Sequence, residues 1–176
     1  MTALTFGLLV LVAAGVIAGL GAFLGNRDTA TVSPFVQAVA RVGKEVVVPI
    51  SDDPDAVVET LPALATRHEE LVREHFGREL TFDATGMAEL DALIDAEFDG
   101  QPPAYFEPIV MSFGTFAGEC IRQNHGGTWA HDDEHGYHLT GVGPMNRTVH
   151  PFSKIQERFV YGDGEPLDEY FREVVV

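Results

Sequence analysis

What the chain lacks narrows its function more than what it contains. From Thr2 to Gly25 there is no charged side chain, and no basic residue precedes the run. Such a stretch, built from Leu, Val, Ala, Ile, Phe and Gly, is long enough to cross a hydrocarbon layer that takes roughly 20 apolar helical residues. A cleaved secretory leader would show a basic start, an apolar core of roughly 7 to 15 residues and a small-x-small end, and all three are missing or poor here. No Cys follows the run, which excludes a lipid-modified N-terminus of the lipoprotein kind. The single cysteine, Cys120, excludes an internal disulfide. Lysine is almost absent, only Lys44 and Lys154, and 27 acidic against 11 basic residues give a net charge of −16. A surface this negative repels phosphate backbones, so nucleic acid is excluded as a partner class and cationic protein partners stay open. There is no G-x-S-x-G, no P-loop and no C-x-x-C; Gly141-Val-Gly143-Pro144 lacks the third glycine and the following helix of a phosphate loop.

These absences divide the chain. Residues 1–25 read as an uncleaved transmembrane anchor, residues 26–53 as a juxtamembrane linker, and residues 54–176 as one soluble domain. Small residues four apart at Gly15 and Gly19 would let two such membrane helices approach closely and self-associate. Arg27, Arg41 and Lys44 follow the anchor and place the domain on the cytoplasmic side. Within the linker, Phe35 to Val42 suits an interfacial or packed helix, and Glu45 to Ile50 suits a short strand that Pro49 pushes to an edge.

In the soluble part, Ser51 to Asp55 reads as a turn that can cap a helical segment and Pro62 sits inside an apolar periodicity, so a short first turn and then a long helix from about Pro62 to Phe76, ended by Gly77, are expected. A second is expected from Thr85 to Phe98, with Glu89, Asp91, Asp95 and Asp99 on a solvent face. The third, Phe106 to Asn124, is apolar on nearly every side and should be the buried centre. Gly114 and Gly118 cost it about 1 kcal/mol each relative to Ala, which suggests that another element packs against bare backbone there. Thr128–His131, Gly136–Gly141 and Asn146–His150 read as three strands, and two helices follow from Pro151 and Pro166. The predicted fold is α+β, about five helices around a three-stranded antiparallel meander.

The run Gly118-Glu119 with Arg122, then Gly126-Gly127-x-Trp129, then Pro151-Phe152-x-Lys154, resembles a widespread group of small bacterial and archaeal domains of unknown function. In that group a Gly-Glu helix leads into a Gly-Gly-x-Trp strand and a Pro-Phe-x-Lys helix start, over about residues 85 to 173 of this chain. The resemblance implies a fold and no reaction. The group often has Asn where this chain has His150.

Two chemistries compete for the remaining polar residues. His131, His135 and His138, with His125 nearby and Asp132 to Glu134 between them, are a candidate ligand set for a divalent transition metal and hence for a metal-dependent hydrolase. Their spacing is that of a hairpin turn, where imidazoles and acids are usually just solvated, and on a regular strand His135 and His138 would face opposite ways. Glu119 is a candidate catalytic acid or base, but a carboxylate on a buried helix must be paired, and Arg122 and the Trp129 indole are within reach. Cys120 reads as a small core residue, and His68 and His75 as packed side chains. The reading that follows is a membrane-tethered interaction or regulatory domain without catalytic activity. The alternatives are the hydrolase and a small-ligand binding domain whose pocket lies between the central helix and the meander, lined by Trp129, Tyr137 and Phe152.

Overall fold

The computed structural model describes residues 34–42, 53–98 and 106–174. The apolar run 1–25 with Gly15 and Gly19, the strand expected at 45–50, and Asp99 lie outside the described residues. No helix among the described residues is long and apolar enough to cross a membrane.

The fold is α+β, with six helices among the described residues and one three-stranded antiparallel sheet. Helix α1 is Pro34–Val42, α2 Pro54–Phe76, α3 Ala84–Phe98 and α4 Phe106–His125. The strands β1 Thr128–Asp132, β2 Gly136–Val142 and β3 Arg147–Val149 follow, then α5 Pro151–Tyr161, a 3-10 turn and α6 Leu167–Glu173. The helix beyond the expected five is α1, which falls in the stretch assigned to the linker. Its Phe35 and Val39, one turn apart, are buried, and the Phe35 ring meets Phe76 edge-on at 4.7 Å between centroids.

Helix α2 starts eight residues earlier than the proline at its centre suggested. Asp53 accepts the Asp55 N–H at 3.1 Å and caps the start, and Pro54 occupies the first turn, where a missing N–H costs nothing. Pro62 inside a helix costs about 3 kcal/mol. Val57, Leu61, Leu64, Ala65, His68, Leu71 and Val72 form one buried stripe that runs through it. Burial of Val57 and Leu61 alone is worth roughly 1.5 to 3 kcal/mol each, enough to offset the break. Gly77 at φ 64° then ends the helix, its N–H on the Arg73 carbonyl. Helix α3 is capped by Asp83, which accepts the N–H groups of Thr85 and Gly86 at 2.8 and 3.1 Å.

Helix α4 is the centre. Phe113, Phe116, Cys120 and Ile121 are fully buried, and α2, α5 and β2 pack around it. Its glycines are contact points: a methyl at Gly118 would stand 2.1 Å from the Trp129 ring, and one at Gly114 2.5 Å from Phe152. Strand β1 and the start of α5 therefore lie directly on helix backbone. In the sheet Trp129 pairs with Leu139, His131 with Tyr137 and Leu139 with Val149.

Asp91 departs from the solvent face assigned to it, while Asp95 stays exposed, 52% of its side chain, and is ion-paired there. Arg158 of α5, 2% exposed, donates to Asp91 and Asp95, each at 2.6 Å. Asp91 also accepts the Leu167 N–H at 2.7 Å, so one carboxylate ties α3 to α5 and to the start of α6. Burial pushes the Asp91 pKa up, against the Arg158 bonds that pull it down.

Candidate functional site

Glu119 is buried on α4. It is 1% exposed and accepts four hydrogen bonds: Arg122 Nε and Nη2 at 2.7 and 2.9 Å, the Trp129 indole N–H at 2.7 Å and Gln123 at 3.3 Å. Burial alone would raise its pKa; the donors from Arg122, Trp129 and Gln123 outweigh that and hold the carboxyl below its usual range. The geometry is that of a fastener between α4 and β1. Gly118 beside it gives the indole room to reach Oε1. Cys120 is buried, and that burial raises the thiol pKa, which suppresses the thiolate.

His68 lies in the core with its Nδ1 2.5 Å from the Ser112 hydroxyl and its ring among Phe35, Phe113 and Phe116. Burial lowers its pKa to about 3, so it is neutral at any ordinary pH. His75 has its ring against Phe35, 6.0 Å away.

The histidines after α4 do not group as their order suggested. Strand alternation puts His131 on the Tyr137 face, where the two rings are 4.7 Å apart. His125 packs on Phe171 at 4.6 Å. His138 faces the other way, and so does His150, which follows Val149, the partner of Leu139. His135 is in the turn before β2 rather than on the strand, which is why it falls on the His138 side. The result is a triad the sequence reading did not name: His135 to His150 5.0 Å, His138 to His150 5.7 Å and His135 to His138 5.9 Å between ring centroids. His131 is outside it. The signal that could have found His150 was sheet parity, one residue past a strand that pairs with β2.

Asp132 anchors this group. Its Oδ1 accepts the N–H groups of Glu134 and His135 at 3.0 and 2.6 Å, which shapes the turn. Its two carboxylate oxygens lie 3.1 and 3.2 Å from His135 Nδ1. The His135 N–H, first among these partners, draws the Asp132 pKa down to about 2. His150 has its pKa lowered by burial and then by the neighbouring imidazoles. Among the described residues, no group of three or more His, Cys, Asp or Glu side chains is placed to hold a metal ion.

The triad borders a groove of about 550 Å³ lined by His135, His150, Ser153, Lys154, Glu157 and Tyr170 among others. Lys154 is ion-paired with Glu165 and lies 5.4 Å over the Tyr170 ring. The space between α4 and the meander is filled: Trp129 is 6% exposed, and its ring and that of Tyr137 pack on Phe152 at 5.9 and 6.2 Å. Among the described residues those three rings pack on one another, and the groove lies on the histidine side of the sheet.

Comparison with family models, with curated proteins and with solved structures found no match.

Proposed function

We propose that the chain is a membrane-tethered interaction or regulatory domain without catalytic activity. The observation that carries this reading is the uncharged stretch Thr2 to Gly25 placed only eight residues before Pro34. Those eight residues span at most about 29 Å when extended. Because Phe35 and Val39 are seated in the core, a helix in the bilayer would hold the whole domain at the membrane surface. Tethering raises the local concentration of a binding surface near membrane partners without tight intrinsic affinity. Support for a binding role over a catalytic one comes from the engaged state of the candidate groups. Glu119 spends its carboxylate on four donors, and Cys120 is sealed in the core.

The resemblance to the small prokaryotic domains of unknown function belongs to this proposal as well, since Gly118, Glu119, Trp129 and Phe152 act together as one joint. Cytoplasmic placement of the domain, a cationic protein partner and self-association through Gly15 and Gly19 are further parts of it. The small-ligand reading keeps one specific support, the groove beside His150 and Lys154. The intact mass of the chain extracted from membranes in detergent tests the uncleaved anchor. The full 19.1 kDa species is expected; a species lacking about the first 25 residues would turn the proposal into that of an exported domain.

A further inference from the structure

We propose that His135, His138, His150 and the Asp132 carboxylate form a site for one divalent transition metal ion of the zinc class, which locks the β1–β2 turn to the junction of β3 and α5.

His138 is the fixed member of the group. It is 5% exposed, and its Nδ1 lies 2.9 Å from the Gly136 carbonyl, which can only accept. The Nδ1 therefore carries the proton, and in the neutral ring Nε2 is left with a lone pair. That is how metal-ligating histidines are fixed, with one ring nitrogen donating to backbone and the other aimed at the ion. The Nε2 atom faces Asp132 Oδ2 at 3.7 Å, a pair of acceptors that a shared cation would reconcile.

The other distances agree with such a centre. At metal–donor lengths of about 2.0–2.1 Å, neighbouring donors of a tetrahedral zinc ion stand about 3.3 Å apart. His135 Nδ1 is 3.2 Å and His138 Nε2 3.7 Å from the same oxygen, Asp132 Oδ2. Imidazole rings on such an ion have centroids about 5 Å apart, and the three pairs here are at 5.0, 5.7 and 5.9 Å. What does not yet fit is aim: the His135 and His150 rings are stacked, 29° between planes, rather than pointed at one centre. His135 is 42% exposed and sits on a turn, so its ring can tilt about an Nδ1 kept beside Asp132 Oδ2 and close the set at small cost, while His138 and Asp132 stay in place. Three imidazoles and a carboxylate select Zn, Ni or Cu over Mg or Ca. Four protein donors fill a tetrahedral zinc ion, which makes the site structural. His131, on the opposite sheet face, is excluded from it and provides the control.

The test uses the full chain without a His tag, held in detergent and titrated with ZnCl2, and with CoCl2 as a spectroscopic probe. One equivalent of zinc per chain is expected to survive dialysis. Cobalt should give the intense visible bands of a tetrahedral ion. Zinc at about one hundred times its Kd should raise the thermal midpoint by about 5–10 °C. His135→Ala and His150→Ala, both outside the core and so expected to fold, should each weaken zinc binding at least about tenfold, and His131→Ala should leave it unchanged. No retained zinc, an octahedral cobalt spectrum, or equal losses from His131→Ala and His150→Ala would overturn the assignment.

Discussion

Replacing Glu119 by Gln gives the most quantitative check on the joint between α4 and the meander. Gln keeps one acceptor oxygen. Set toward Trp129, that oxygen retains the bonds now made to Oε1 by the indole and by Arg122 Nε, at 2.7 Å each, as weaker neutral-acceptor bonds. The new amide NH2 then meets Arg122 Nη2 and Gln123, which now donate to Oε2 at 2.9 and 3.3 Å, so donor faces donor. The flipped amide would instead strand a buried indole N–H, which is worse. Two bonds to Oε2 are lost: the one from Arg122 costs about 1.5–3 kcal/mol, the long one from Gln123 costs little because that amide can turn, and weakening the two on Oε1 adds to it. Arg122 is 36% exposed and recovers water, which trims the penalty. The net expectation is about 2–3 kcal/mol, or a fall in thermal midpoint of roughly 5–10 °C at this size. Differential scanning calorimetry of the full chain in detergent reads it directly. Arg172→Gln, which breaks the exposed Arg172–Asp168 pair, serves as control and should stay within about 0.5 kcal/mol. Adding Trp129→Phe should reveal coupling of about 1 kcal/mol or more to Glu119→Gln. A midpoint within a degree of the parent for Glu119→Gln, or strictly additive losses, would refute the fastener.

Two further outcomes concern stability. His68 has a folded pKa of about 3 against an ordinary value of 6.5, so the unfolded chain binds the proton first and stability falls as pH drops from about 6.5 towards 3. The slope is at most about 1.4 kcal/mol per pH unit, and denaturant titrations at pH 7, 5 and 4 should flatten in a His68→Leu variant. Arg158→Met leaves Asp91 without its guanidinium in a site where burial already raises its pKa; a loss of about 2–4 kcal/mol is expected, recovered in part by adding Asp91→Asn.

Local pattern carried the sequence reading as far as local forces decide the outcome. The α4 helix, the three strands and the final helices follow from apolar period, glycine breaks and proline starts. Sequence alone shortens helix α2 because an internal proline is a local cost, whereas the stripe from Val57 to Val72 that outweighs it is buried by other elements. Asp91 looks solvated from its own helix because the partner that draws it inward, Arg158, lies 67 residues further on. The histidine group shifted for a geometric reason: strand parity sends His131 to the Tyr137 face, and the turn returns His135 to the face of His138 and His150. Proximity along the chain suggested one triad and the pairing of β2 with β3 made another.

The central claim is the tether, and partition of the chain after alkaline carbonate washing of membranes tests it most directly. The account predicts that the full chain stays in the pellet until detergent is added. The same chain without residues 2–25 should appear in the supernatant with an intact thermal transition. Release of the full chain by carbonate, or retention of the shortened chain in the pellet, would contradict it.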